Sequence, residues 1–190
     1  MIRENTFSPA HRWSKPFVSE VAEIVNLLKD KGYEAKLLAS LTGMQEKKLV
    51  DWTARYKRDP DTISTIPYPV WCFLAALIGR PNIQHIESLQ PIDARKVMRA
   101  FKPTAFKPYC DFVMPEPKEF KRIISDNAFT GLTVENVAKG FLWKPEQFER
   151  SLNNAKLPYL NWCLILMVCG FNIQKMVLNQ HDGEIGLKVE

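Results

Sequence analysis

Three histidines and four cysteines are the side chains of this sequence best suited to metal or covalent chemistry. Their spacing matches no metal-binding or redox motif. His11, His85 and His181 fall in unrelated settings, and the cysteines are scattered with no Cys-x-x-Cys. Neither paired-histidine metal spacing, nor a glycine-rich phosphate loop, nor a nucleophile motif is present. The expectation is a protein that is not an enzyme, with no metal, no cofactor and no small-molecule ligand. Widely scattered cysteines also fit a reduced, cytoplasmic setting.

What remains is charge and hydrogen bonding. The 190 residues carry 26 basic and 21 acidic side chains, a net charge of +5 and a pI of about 9.0. That balance is compatible with nucleic acid without requiring it. Residues 7–85 hold 11 basic and 8 acidic side chains, residues 106–178 hold 9 and 7, and residues 179–190 hold 1 and 3. Residues 86–105 hold 4 and 2, so both halves and the stretch joining them are mildly positive, and the tail is acidic. Hydrophobic residues make up 46 % of the chain, as in ordinary globular proteins. No apolar run reaches the roughly 18 residues of a membrane span, and the first residues lack a signal-like apolar stretch. No membrane partner is expected.

The elements that must position these charges emerge from an internal repeat. Residues 66–79 read IPYPVWCFLAALIG and residues 157–170 read LPYLNWCLILMVCG, with Pro, Tyr, Trp, Cys and Gly in the same places. Further back the offset changes from 91 to 99 and the match continues. Gly32 pairs with Gly131, Leu38-Ala39 with Val137-Ala138, and Leu49 with Phe148. Phe7, Pro9, Trp13 and Pro16 pair with Phe106, Pro108, Phe112 and Pro115. The change of offset puts about eight extra residues in the first copy, in the polar segment Arg55–Thr65. The domains read as a first unit over 7–85, a partly helical connector over 86–105, a second unit over 106–178 and a tail over 179–190. Trp71 and Trp162, and Cys72 and Cys163 beside them, take packing roles in apolar helices.

Within the first unit, Val18, Val21, Ile24, Val25 and Leu28 form the stripe of an amphipathic helix over 17–31. Gly32 stops it. A short second helix over 34–41, a turn at Thr42-Gly43 and a third helix over 45–55 follow. After the polar loop, Pro67 opens an apolar helix that Gly79 ends. No alternating strand pattern occurs. The fold class is all-α, two tandem helical units related by internal duplication.

The run LASLTGMQEKKLVDW places Ala39 where two helices approach closely, Gly43 in a tight turn that needs positive φ, and Leu49 and Trp52 on the next helix. Ala, Gly at +4 and apolar residues at +10 and +13 resemble the helix-turn-helix of lambda-repressor-like (Cro-type) DNA-binding domains, over residues 34–79. The second unit keeps Ala138 and Phe148 but has Leu142 at the turn position and Ser151 at +13. Either Leu142 adopts a costly positive φ or the turn is reshaped around Gly140. Pro145 suits the first turn of the following helix.

The resemblance implies that the third helix of each unit enters the major groove. Its outward side chains are Gln45, Glu46, Lys47, Lys48 and Asp51 in the first unit. In the second they are Lys144, Glu146, Gln147 and Arg150. Lys47 and Arg150 suit guanine, Gln45 adenine, and Glu46 the amino group of cytosine. Arg55, Lys57, Arg58 and Lys156 suit phosphate contacts. The implied function is a sequence-specific transcriptional regulator, of the kind found on phages, plasmids and other mobile elements. Its partner would be duplex DNA at an imperfect palindrome, and self-association of the chain is a further partner reading. The competing reading is a protein-binding module, an inhibitor or assembly accessory factor, suggested by acidic side chains on the reading helix.

Overall fold

A computed structural model describes residues 1–54, 56–80 and 91–178. Among them the chain is all-α, with only one isolated antiparallel bridge, Phe17 to Ile63. Helices α1 (Val18–Asp30), α2 (Ala35–Thr42), α3 (Glu46–Thr53) and α4 (Tyr68–Leu77) build the first half. Helix α5 (Ala94–Ala100) lies in the connector. Helices α6 (Pro117–Ile123), α7 (Val134–Gly140), α8 (Pro145–Asn153), α9 (Tyr159–Val168) and α10 (Ile173–Leu178) follow. Each half begins with two 3-10 turns, Glu4–Phe7 and Ala10–Arg12 in the first, Pro103–Phe106 and Tyr109–Asp111 in the second. The turn Pro103–Phe106 straddles the expected connector boundary.

The apolar runs around Trp71 and Trp162 fold as helices with no polar face, and such helices are stable only at the centre of a core. Every residue of α4 and all but Met167 of α9 are buried. These two helices pack against each other, so the core runs continuously from one half into the other. The indoles are held alike. Trp71 Nε1 donates to the Thr6 carbonyl at 2.7 Å and Trp162 Nε1 to the Ala105 carbonyl at 2.6 Å. Trp13 meets Tyr68 edge-on at 4.9 Å, and Phe112 meets Tyr159 edge-on at 4.9 Å. Cys72 and Cys163 are buried on these helices, and burial pushes the Cys163 thiol up to about 12.

The extra segment of the first half has a structural task. Its carbonyls at Thr62 and Pro60 accept from the N–H groups of Val18 and Ser19, at 2.8 and 3.0 Å. Helix N-termini leave such donors without intrahelical partners. In the second half the loop is shorter, and the residue matching Val18 is Pro117, which has no N–H to satisfy. Glu20 and Glu119, each at the third position of its helix, accept from the backbone N–H of Phe17 and Glu116.

The halves differ in their first helix. Helix α1 spans 13 residues, whereas α6 spans 7 and stops at Ile124. Where the first half continues with Asn26-Leu27-Leu28-Lys29, the second has Ser125-Asp126-Asn127-Ala128, three of them residues that compete with helix for backbone hydrogen bonds. The Thr130 hydroxyl donates to the Ile123 carbonyl and closes the resulting turn.

Contacts between the halves are reciprocal. The turn Tyr109–Asp111 of the second half packs on α2 of the first, and the matching turn Ala10–Arg12 packs on α7 of the second. With the α4–α9 pairing, this is the isologous pattern of a two-fold dimer, made here within one chain.

Candidate nucleic-acid interface

Helix α2 ends in Gly43 at φ 71°, whose N–H donates to the Ala39 carbonyl at 2.9 Å. The Thr42 hydroxyl donates to the Leu38 carbonyl and accepts from Met44 N–H at 3.2 Å, so the turn is fixed from both sides. Gln45 is the extended residue before α3, and Leu49 anchors that helix in the core while Trp52 packs half-buried against it. The outward row is left free. Gln45, Glu46, Lys47, Lys48 and Asp51 are all exposed, as are Lys57 and Arg58 beyond the helix. Arg55 lies outside the described residues.

In the second half the turn is not reshaped around Gly140, which stays inside α7. Leu142 itself takes φ 59°. Trp143 N–H closes the turn on the Ala138 carbonyl at 2.9 Å. Lys144 precedes α8, Pro145 fills its first position, and Phe148 is fully buried where Leu49 stands in the first half. Lys144, Glu146, Gln147 and Arg150 are exposed on the outer side, with Lys156 exposed after the helix. Ser151, at the position of Trp52, is half-buried, and its hydroxyl has no hydrogen-bond partner.

Each half therefore holds two helices joined by a left-handed turn, with the second helix presenting its polar side outward. The chain matches no known protein family, no curated protein and no solved structure. The site must be read from its own chemistry.

That chemistry is balanced. On α3 the charges of Lys47 and Lys48 face those of Glu46 and Asp51. On α8, Lys144 and Arg150 are matched by Glu146 and Glu149. None of these charges forms an ion pair among the described residues, so all can reach a partner. A mixed row of donors and acceptors suits base-edge reading, where each hydrogen bond is directional. It does not suit bulk attraction to phosphate, which needs a positive surplus. No group of three or more His, Cys, Asp or Glu side chains among the described residues could hold a metal ion.

The positive surplus lies elsewhere, where the halves join, and the sequence showed of it only that residues 86–105 are mildly positive. Helix α5 exposes Arg95, Lys96 and Arg99, and α6, packed against it, exposes Lys118, Lys121 and Arg122. The signal was in the charge pattern of residues 94–122, but it became a surface only when α5 folded onto α6. Among the described residues, no helix is long and apolar enough to cross a membrane.

Proposed function

We propose that the chain is a sequence-specific duplex DNA-binding regulator, built from two copies of one helix-turn-helix unit and acting in the cytoplasm. The observation that carries this reading is the α2–Gly43–α3 arrangement with its exposed, unpaired row from Gln45 to Asp51. The reciprocal contacts between the halves favour one fixed arrangement of both reading helices, as in dimeric regulators that bind half-sites one helical turn apart. The target would be an imperfect palindrome, because α3 and α8 present different side chains. Lys57, Arg58 and Lys156 would hold phosphates beside the reading helices.

The test is selection of duplexes from a random pool, followed by footprinting. A bound sequence with two half-sites is expected, and Lys47→Ala/Lys48→Ala should abolish its preference while leaving helicity unchanged. Full retention of sequence preference by that variant removes α3 from the reading role. Arg150→Ala asks the same of α8.

A protein-binding role has its own support. Val50, 55 % exposed, sits on the outer side of α3 among balanced charges, as at many protein interfaces. If no duplex is selected at low salt, this second reading replaces the first.

A further inference from the structure

Residues 93–122 hold eight basic and four acidic side chains, a surplus of four in a chain whose net charge is +5. The structure gathers most of them onto one pair of packed helices. On α5, Arg95 and Arg99 lie one turn apart on a shared face with Lys96 beside them, while Val97 and Ala100 turn inward. On α6, Lys118, Lys121 and Arg122 share an exposed face, while Phe120 and Ile123 are buried. Arg122 Nη1 reaches the Ala100 carbonyl at 3.5 Å, which brings its guanidinium to the end of α5 beside Arg99.

The acidic side chains of this region are already committed. The Asp93 carboxylate caps α5, accepting from the N–H groups of Arg95 and Lys96 at 2.9 and 3.3 Å. Glu116 is held between Lys102 at 3.0 Å and Lys118 at 2.8 Å. Glu119 is buried and accepts from Glu116 N–H. Asp111 is exposed, and its carboxylate accepts from Cys110 Sγ at 3.6 Å. Among the described residues, Arg95, Lys96, Arg99, Lys121 and Arg122 therefore form no ion pair with a carboxylate.

We propose that this α5–α6 surface grips the phosphate backbone of duplex DNA and supplies the sequence-independent part of its binding. The inference rests on the DNA-binding reading of the two turn-linked helices, whose own charges cancel. Two observations favour a nucleic acid over an anionic membrane. Helix α6 packs directly against α8, so the basic surface lies on a helix neighbouring the second reading helix. The apolar residues of α5 and α6 face the core, whereas a membrane-binding helix keeps an exposed apolar face.

Binding of the full chain to a random-sequence duplex, followed from 50 to 200 mM salt, tests the proposal. Each lost phosphate contact reduces the slope of log K against log salt by about 0.9. Arg95→Gln/Lys96→Gln/Arg99→Gln should therefore flatten the slope by about three, and Lys121→Gln alone by about one, with unfolding midpoints unchanged. An unchanged slope in both variants overturns the proposal even where Lys47→Ala/Lys48→Ala still destroys sequence preference. Conversely, a flattened slope with Lys47 and Lys48 dispensable upholds this surface and removes α3 as reader. Wild-type chain that ignores duplex at 50 mM salt but sediments with phosphatidylserine vesicles overturns it in favour of a membrane.

Discussion

The ring of Tyr109 occupies the space that a side chain on Gly43 would need. A Cβ built on Gly43 would lie 2.5 Å from Cε2 and Cζ of that ring. Tyr109 in turn meets Tyr159 edge-on at 5.7 Å, and Tyr159 donates from its hydroxyl to the Lys107 carbonyl at 3.1 Å. A chain of contacts thus joins the core helix α9 to the turn between α2 and α3. At the matching positions of the other half stand Ala10 and Leu142. The large side chain has changed sides.

Gly43→Ala should destabilise the protein for two reasons, positive φ and collision with Tyr109. The first costs on the order of 1 kcal/mol and overpacking about 1–3 kcal/mol. Tyr109→Ala added to Gly43→Ala should remove the collision and leave the strain. The double variant is then less destabilised than the sum of the singles, by about 1 kcal/mol or more. Urea unfolding of the four proteins measures the coupling, and strict additivity would sink the claim that the ring seats on the turn.

Leu142→Gly should stabilise the chain. A leucine at φ 59° is strained, and this one is 53 % exposed, so its removal forfeits little burial. Relief of about 0.5–1 kcal/mol is expected. A lower urea midpoint for the variant would mean that Leu142 packs on its surroundings strongly enough to outweigh its backbone.

The two indole anchors offer a symmetrical comparison. Trp71→Phe and Trp162→Phe each remove a buried donor and strand a backbone carbonyl, at Thr6 and Ala105 respectively. Each should cost about 1–3 kcal/mol, plus a cavity contribution from the smaller ring. The hydrogen bonds match, but Trp162 also meets Phe101 and Phe120 edge-on at 4.9 and 5.5 Å where Trp71 stacks on Phe7 at 5.8 Å, so Trp162→Phe should cost more, by about 0.5–1.5 kcal/mol. A larger fall in the urea midpoint for Trp71→Phe would show that these ring contacts do not decide the difference.

Much of this arrangement was legible in the residues. Gly43 at a tight turn, Pro67 and Pro145 at helix starts, and the two Trp-Cys slots follow from local backbone chemistry and apolar pattern. The exposed rows on α3 and α8 came with the helix-turn-helix resemblance, position by position. Leu142 was legible only as a conflict between its side chain and its turn, and the turn prevailed because Trp143 N–H closes it on Ala138. What the sequence hid depends on distant contacts. Tyr109 and Gly43 are far apart in the chain and meet only through the reciprocal packing of the halves. The early end of α6 follows from the weak helix formers Ser125, Asp126 and Asn127, which a pairing of the halves by their apolar residues does not weigh. The α5–α6 charge surface needed two short helices to pack before it existed.

The buried Glu20 should govern the acid limb of stability. Burial alone would raise its pKa, but hydrogen bonds from the Arg3 side chain, Arg3 N–H and Phe17 N–H, with the Arg3 charge, hold it below 4.5. A carboxylate whose folded-state pKa is depressed stabilises the fold above its unfolded-state value. That contribution is lost as pH falls from about 4.5 through the lower folded-state value. Glu20→Gln should cost stability at pH 7, about 1–3 kcal/mol, the range for a charged hydrogen bond. The same variant should show a shallower decline of stability below pH 4.5 than the parent chain. Arg3→Ala separates the ion pair from the cap. It removes the guanidinium but keeps the Phe17 N–H contact, so its acid limb should fall between the other two. Urea midpoints measured from pH 7 down to pH 3 give all three curves. Parallel curves for parent and Glu20→Gln would show that Glu20 is not the group whose protonation opens the N-terminal end of α1.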